Sequence, residues 1–297
     1  MIMRPISYKT GVLLVLTAGF CWSGIGTAVR ILEDVNIWLL LFYRSLGMVP
    51  VLFIFLLYSS NKKPFEKIKT VGYPGIVGGL CLITAFAGGI HAMQSTTIAN
   101  AAFLFATAPF FTAVLAWPLL KEPVRTATWW CISIALIGIA IMVQDGLELG
   151  QIEGNFSGLV SAIGFAGFTI TLRWGKLSDM VPAVVLGGVF ALAFSSFIII
   201  SSGSNLAIDP IDALVAMGTG AILLAGGMLA YTIGSRVVVA SDLAVLSMVE
   251  VVLAPVWVWL ILSEAVGIST MVGGVIIITA LIANAMSGLR HKPTKLL

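Results

Sequence analysis

The chain has 297 residues, of which 59% are hydrophobic and 10% charged, with a net charge of +3. Soluble domains carry about 25% charged residues, so this composition excludes an ordinary soluble fold and indicates a polytopic membrane protein. Three cysteines, Cys21, Cys81 and Cys131, all fall in apolar stretches and give neither a disulfide framework nor metal-ligand spacing.

Apolar runs predict ten spanning helices over 10–32, 36–58, 73–93, 98–119, 126–145, 156–175, 181–202, 213–235, 241–263 and 267–288. The first run follows basic residues as a signal peptide would. It is roughly twenty residues long with no small-residue cleavage site after it, which predicts a retained helix. An even count puts both termini on one side, and that side holds fourteen of the sixteen basic residues. The exceptions are Arg30, at an outer helix end, and Arg44, within the second helix. The opposite loops are acidic, with Glu33, Asp34, Asp145, Glu148, Glu153, Asp209 and Asp212. The positive-inside rule therefore predicts cytoplasmic termini in a bacterial inner (plasma) membrane.

In chain order, Trp22 comes first, near the middle of the first helix beside Gly19, Ser23 and Gly26. An aromatic ring over small residues can line a substrate cavity, although ordinary packing explains it equally well. Arg44 lies too deep in the second helix to reach a membrane surface easily. It can hold a substrate carboxylate, pair with a buried acid or brace backbone carbonyls. His91, on a face with Thr84 and Gly88, titrates in the range a proton relay needs, or is simply a satisfied polar residue. Pro109 and Pro255 fall inside the fourth and ninth spans, where each removes a backbone hydrogen bond and marks a candidate hinge.

Glu250 is placed within an otherwise apolar stretch of roughly twenty residues, where a charge costs about 2.5–3.5 kcal/mol and usually faces a protein interior or cavity. On a helix it shares a face with Ser247, Ala254 and Trp257. That face suits a cavity wall, and the carboxylate suits a cationic group, a proton or a structural pair with Arg44. Paired glycines, such as Gly187-Gly188 and Gly226-Gly227, suit close helix packing within the bundle.

An offset of 142 residues aligns Leu104 with Leu246, Trp117 with Trp259, Glu122 with Glu264 and Thr128 with Thr270. An offset of 143 aligns Gly24 with Gly167 and Arg30 with Arg173. The chain therefore reads as two five-helix repeats, 10–145 and 156–288. An odd number of spans per repeat makes them inverted, which is a transporter signature with a substrate site near the midplane.

These residues also resemble a known family. Trp22-Ser23-Gly24, Arg44, Ala108-Pro109 and Lys121-Glu122 look like the first repeat of a ten-helix EamA-type member of the drug/metabolite transporter superfamily. Glu250, Pro255, Trp257, Trp259 and Glu264 look like the ninth helix of its second repeat. The resemblance departs at Val251, where many members carry a proline matching Pro109. It implies export, uptake or exchange of metabolites or amino acids through a central cavity.

Together these features predict an all-α membrane protein that moves a small organic metabolite by alternating access. One intramembrane acid and one intramembrane arginine favour amino acids or related amines and zwitterions. Glu250 and Trp22 alone would instead suit cationic or hydrophobic drugs and quaternary amines. Protons are the candidate coupling ion. No metal, other cofactor or nucleic acid is expected, and a monomer is favoured over a dimer. An intramembrane enzyme would rest on His91 with Glu250 alone, since neither HExxH nor GxSxG occurs. A scaffold or receptor would not need the repeat.

Overall fold

A computed structural model describes residues 6–32, 34–60, 63–95, 101, 104–121, 123–143, 152–175, 179–262 and 268–290. The fold is all-helical among these residues. Seven helices are long and apolar enough to cross a membrane, and three shorter apolar ones complete ten.

We number the spans α1 to α10. The first, α1, is Tyr8–Ser23 followed by Ile25–Ile31 across a turn at Gly24. Next come α2 (Ile37–Ser59), α3 (Pro64–Ser95), α4 (Ala108–Leu120) and α5 (Thr126–Val143). The second half contains α6 (Ile152–Trp174), α7 (Val181–Ser201) and α8, which is Pro210–Gly218, a π segment Thr219–Leu224, and Ala225–Gly234. It closes with α9, made of Ala240–Ser247 and Val249–Leu262, and α10 (Ile268–Arg290).

Local chemistry sets several starts. Ser7 caps α1 by accepting from the Thr10 N–H at 3.1 Å, Asn36 caps α2 through Trp38, and Asp209 caps α8 through Ile211 just before Pro210. Gly72, at φ 57° and ψ −147°, separates a short leading helix from the membrane span of α3, a conformation that a side chain would resist.

Besides the turn in α1 and the π segment in α8, two further spans are interrupted. In α4 a turn at Ala106–Thr107 precedes the helix, with Thr107 N–H bonded to Leu104 C=O and Phe110 N–H to Thr107 C=O. In α9 the turn is at Met248, with Met248 N–H bonded to Val245 C=O and Val251 N–H to Met248 C=O. Both are tight i to i+3 bonds of the 3₁₀ kind, which often mark functional hinges. Pro109 therefore lies in the first turn of a helix rather than inside one. In that position its missing N–H breaks no helical bond.

The halves interlock. The strongest packing between them pairs α3 with α6 and α7, α5 with α10, α2 with α7 and α8, and α1 with α8 and α9, while α4 meets both α6 and α9. Glycines bring these backbones together. A Cβ on Gly164 of α6 would lie 2.7 Å from the Ala85 N and 2.8 Å from the Cys81 O of α3. Such contacts replace a hydrophobic driving force, which is absent between helices in lipid.

Candidate functional site

Glu250 is the second residue of Val249–Leu262, so it occupies the first turn after the α9 break rather than the middle of an unbroken helix. There the positive end of the helix dipole favours a carboxylate. The side chain is half-buried. Neither a hydrogen bond nor an ion pair involves it among the described residues.

Helix α1 lies directly against this break. A Cβ on Gly19 would meet Val249 Cγ1 at 2.3 Å, Ser247 O at 2.9 Å and Glu250 N at 3.4 Å. Two turns beyond Glu250, the Trp257 Nε1–H donates to Ser23 Oγ at 2.7 Å, and its ring meets Phe20 edge-on at 5.7 Å. Ser247 faces the other way chemically, donating its hydroxyl to Ala244 O at 2.8 Å. Pro255 lies within the continuous Val249–Leu262 helix, and its side chain lies outside the described residues.

Trp22 is 6% exposed and packed into an aromatic cluster, not lining an open cavity in this conformation. It meets Phe165 of α6 at 5.5 Å and Tyr231 of α8 at 5.3 Å, while Phe105 meets Phe165 at 5.4 Å. Tyr231 shares a 2.8 Å hydrogen bond with Thr169 and lies within electrostatic reach of Glu250. The Trp22 Nε1 has no acceptor among the described residues.

Arg44 does not pair with Glu250. Its guanidinium is buried at 5% exposure, 5.1 Å above the Phe86 ring, with Nε and Nη2 unpartnered among the described residues. The π segment of α8 packs on its backbone, since a Cβ on Gly220 would fall 1.9 Å from Arg44 O. Cation–π attraction compensates part of the desolvation of such a charge, but unmade donors there remain costly.

His91 belongs elsewhere. Its Nδ1 bonds Ser157 Oγ at 2.9 Å and its Nε2 approaches Ser95 Oγ at 3.5 Å. Ser157 is twelve residues from Thr169 on α6, so His91 is about 18 Å along the bundle from the Tyr231 level. The structure thus gathers Glu250, Trp257 and Trp22 around α1, and sets Arg44 and His91 apart.

Sequence reasoning missed Tyr231, Phe165 and Asp242. Phe165 had a usable signal, an aromatic residue in mid-span beside Gly164. Asp242 was hidden because it opens a span, where a charge is unremarkable.

Residues 9–144 match the EamA-like transporter family. The chain carries an EamA-like transporter domain over these residues. The chain is 25% identical over 284 residues to the "Pseudopaline exporter CntI" of Pseudomonas aeruginosa, covering 93% of this chain and 95% of that one. It is 27% identical over 194 residues to an "Uncharacterized transporter" of Helicobacter pylori, covering 62% of this chain and 61% of that protein. A solved structure at 16% identity superposes with a TM-score of 0.80, covering 96% of this chain and 100% of the other, so the chain shares its fold. The transporter is a multi-pass membrane protein.

Proposed function

We propose that this transporter moves amino acids or related amines and zwitterions across the bacterial inner membrane by alternating access, with both termini cytoplasmic. The observation that carries this reading is a pair of opposite charges in the bundle without ionic partners among the described residues. Glu250 opens the second part of α9 in one half, and Arg44 is buried in α2 of the other. A zwitterion offers a partner to each charge. The relative named as an exporter supports outward transport.

Alternating access is supported by the pattern of contacts. Exchanging each span with the one five later maps α1·α8 onto α6·α3 and leaves α2·α7, α4·α9 and α5·α10 unchanged. The two breaks lie 141 residues apart, from Thr107 to Met248, within one residue of the offset in sequence. Both facts support inverted repeats over 10–145 and 156–288, whose exchange of conformations would turn the site from one side to the other.

Counterflow in proteoliposomes tests this reading. Labelled zwitterionic amino acids should accumulate against an internal unlabelled pool. Counterflow of quaternary amines without zwitterions would favour the cationic alternative, consistent with Trp22, Trp257 and Tyr231 around Glu250. Absence of counterflow for both classes would overturn the proposal.

A further inference from the structure

At the end of the bundle that holds the N-terminus, two carboxylates tie the halves together. Asp242, in the first turn of α9, is 2% exposed. Its Oδ2 accepts from Arg125 Nη2 at 2.6 Å and from the Tyr8 hydroxyl at 3.4 Å. Its Oδ1 accepts from Thr128 Oγ1 at 3.0 Å and from Asn284 Nδ2 at 3.5 Å. Arg125 also donates from Nη1 to Ser287 at 3.1 Å. Tyr8, Arg125 and Thr128 belong to the first half of the chain; Asp242, Asn284 and Ser287 belong to the second.

The other carboxylate is Asp179, just before α7. It accepts from Lys67 of α3 and, at 3.3 Å, from Arg236 between α8 and α9. Burial lowers the Arg236 guanidinium from its usual value, and Asp179 pushes it back up. Lys67 in addition reaches Ser59 O at 3.1 Å. At the opposite end, contacts between the halves include neutral ones, His91 with Ser157 and the Tyr43 hydroxyl with Leu206 O.

All eight residues of Ala240–Ser247 are buried, and this segment meets Val249–Leu262 at the Met248 turn. The break therefore separates Asp242 from Glu250 mechanically while keeping them on one span. The contacts of Asp242 hold α1, α5, α9 and α10 together at this end of the bundle.

We propose that the Asp242 cluster, together with the Asp179 cluster, is the inner gate of the carrier, closed in this structure, and that Ala240–Ser247 swings about Met248 when it opens. This rests on the transport reading for its purpose, but its test needs no substrate. Buried charges suit a reversible latch, because each group that leaves its partner can be solvated by the water that enters.

The test uses the full chain with Cys21, Cys81 and Cys131 replaced by Ala and a reporter, Ser247→Cys, buried beyond the gate. Labelling by a membrane-impermeant maleimide is timed in vesicles exposing the N-terminal face. Adding Asp242→Asn should raise the labelling rate by about tenfold or more. The isosteric Thr128→Val, which removes one hydroxyl, should raise it by roughly threefold to tenfold. Thermal unfolding in detergent identifies folded variants, and if Asp242→Asn does not fold, Thr128→Val decides. Unchanged labelling in the folded variants overturns the gate and leaves counterflow interpretable. Faster labelling without counterflow of any solute would keep the gate and remove the substrate assignment.

Discussion

The indole of Trp257 is hydrogen-bonded to Ser23 across 2.7 Å, which fixes the second part of α9 to α1 two turns from Glu250. Gly19 makes the matching approach at the break itself, so α1 and α9 run side by side in the same direction. The carboxylate is thereby held against α1, the helix that also carries Trp22.

This bond gives the first prediction. Trp257→Phe keeps an aromatic ring but removes the donor, and should cost about 0.5–1.5 kcal/mol of stability. It should also weaken substrate binding in counterflow, because Glu250 loses its fixed position. Ser23→Ala should reproduce both effects. Normal binding in both variants would show that the bond does not position the site.

Adjacent glycines on α8 give the second. A Cβ at Gly227 would lie 2.2 Å from Trp22 Nε1, whereas nothing lies within 4 Å of one at Gly226. Trp22 is packed on all sides and has little room to retreat. Gly227→Ala should therefore lose about 1–3 kcal/mol from overpacking. Gly226→Ala should unfold close to wild type. Equal unfolding temperatures in detergent would contradict the packing described around Trp22.

Much of the fold was legible because a bilayer imposes a simple demand. A chain without water must satisfy its backbone inside each segment, so apolar length alone located the ten spans. The breaks were not legible in the same way. Pro109 suggested a hinge inside α4, yet it starts a helix, and the equivalent turn at Met248 has no proline. Tertiary packing of Gly19 against residues 247–250 accompanies that turn, and no local signal announces it. Glu250 stood out because its neighbours are apolar, but Arg125, Thr128 and Asn284 meet Asp242 from positions more than forty residues away. Such convergence belongs to the fold.

Hinge function is a separate question from helix interruption. If the turns before Pro109 and at Met248 serve alternating access, Pro109→Ala should slow exchange more than it weakens binding, by extending the α4 helix back through Thr107. Pro255→Ala, in the continuous part of α9, tests whether the hinge lies there instead. Exchange kinetics at saturating substrate separate the two. A slowed Pro255→Ala with an unaffected Pro109→Ala would move the hinge away from the breaks.

Sidedness is tested at Lys67, one of the basic residues on which the proposal of cytoplasmic termini rests. Lys67→Cys should resist an impermeant reagent applied to intact cells and react in inside-out vesicles. Labelling from outside intact cells would invert the topology and turn the Asp242 gate outward.

The most direct measurement of the central claim is active transport by Glu250→Gln, which keeps shape and abolishes the charge. With no ion-pair partner for Glu250 among the described residues, the substitution leaves no buried cation stranded, and thermal stability in detergent should stay near wild type. Flux in proteoliposomes should fall by at least about tenfold, since a charged substrate group would lose its partner. A stable Glu250→Gln protein with wild-type flux and wild-type pH dependence would contradict the account.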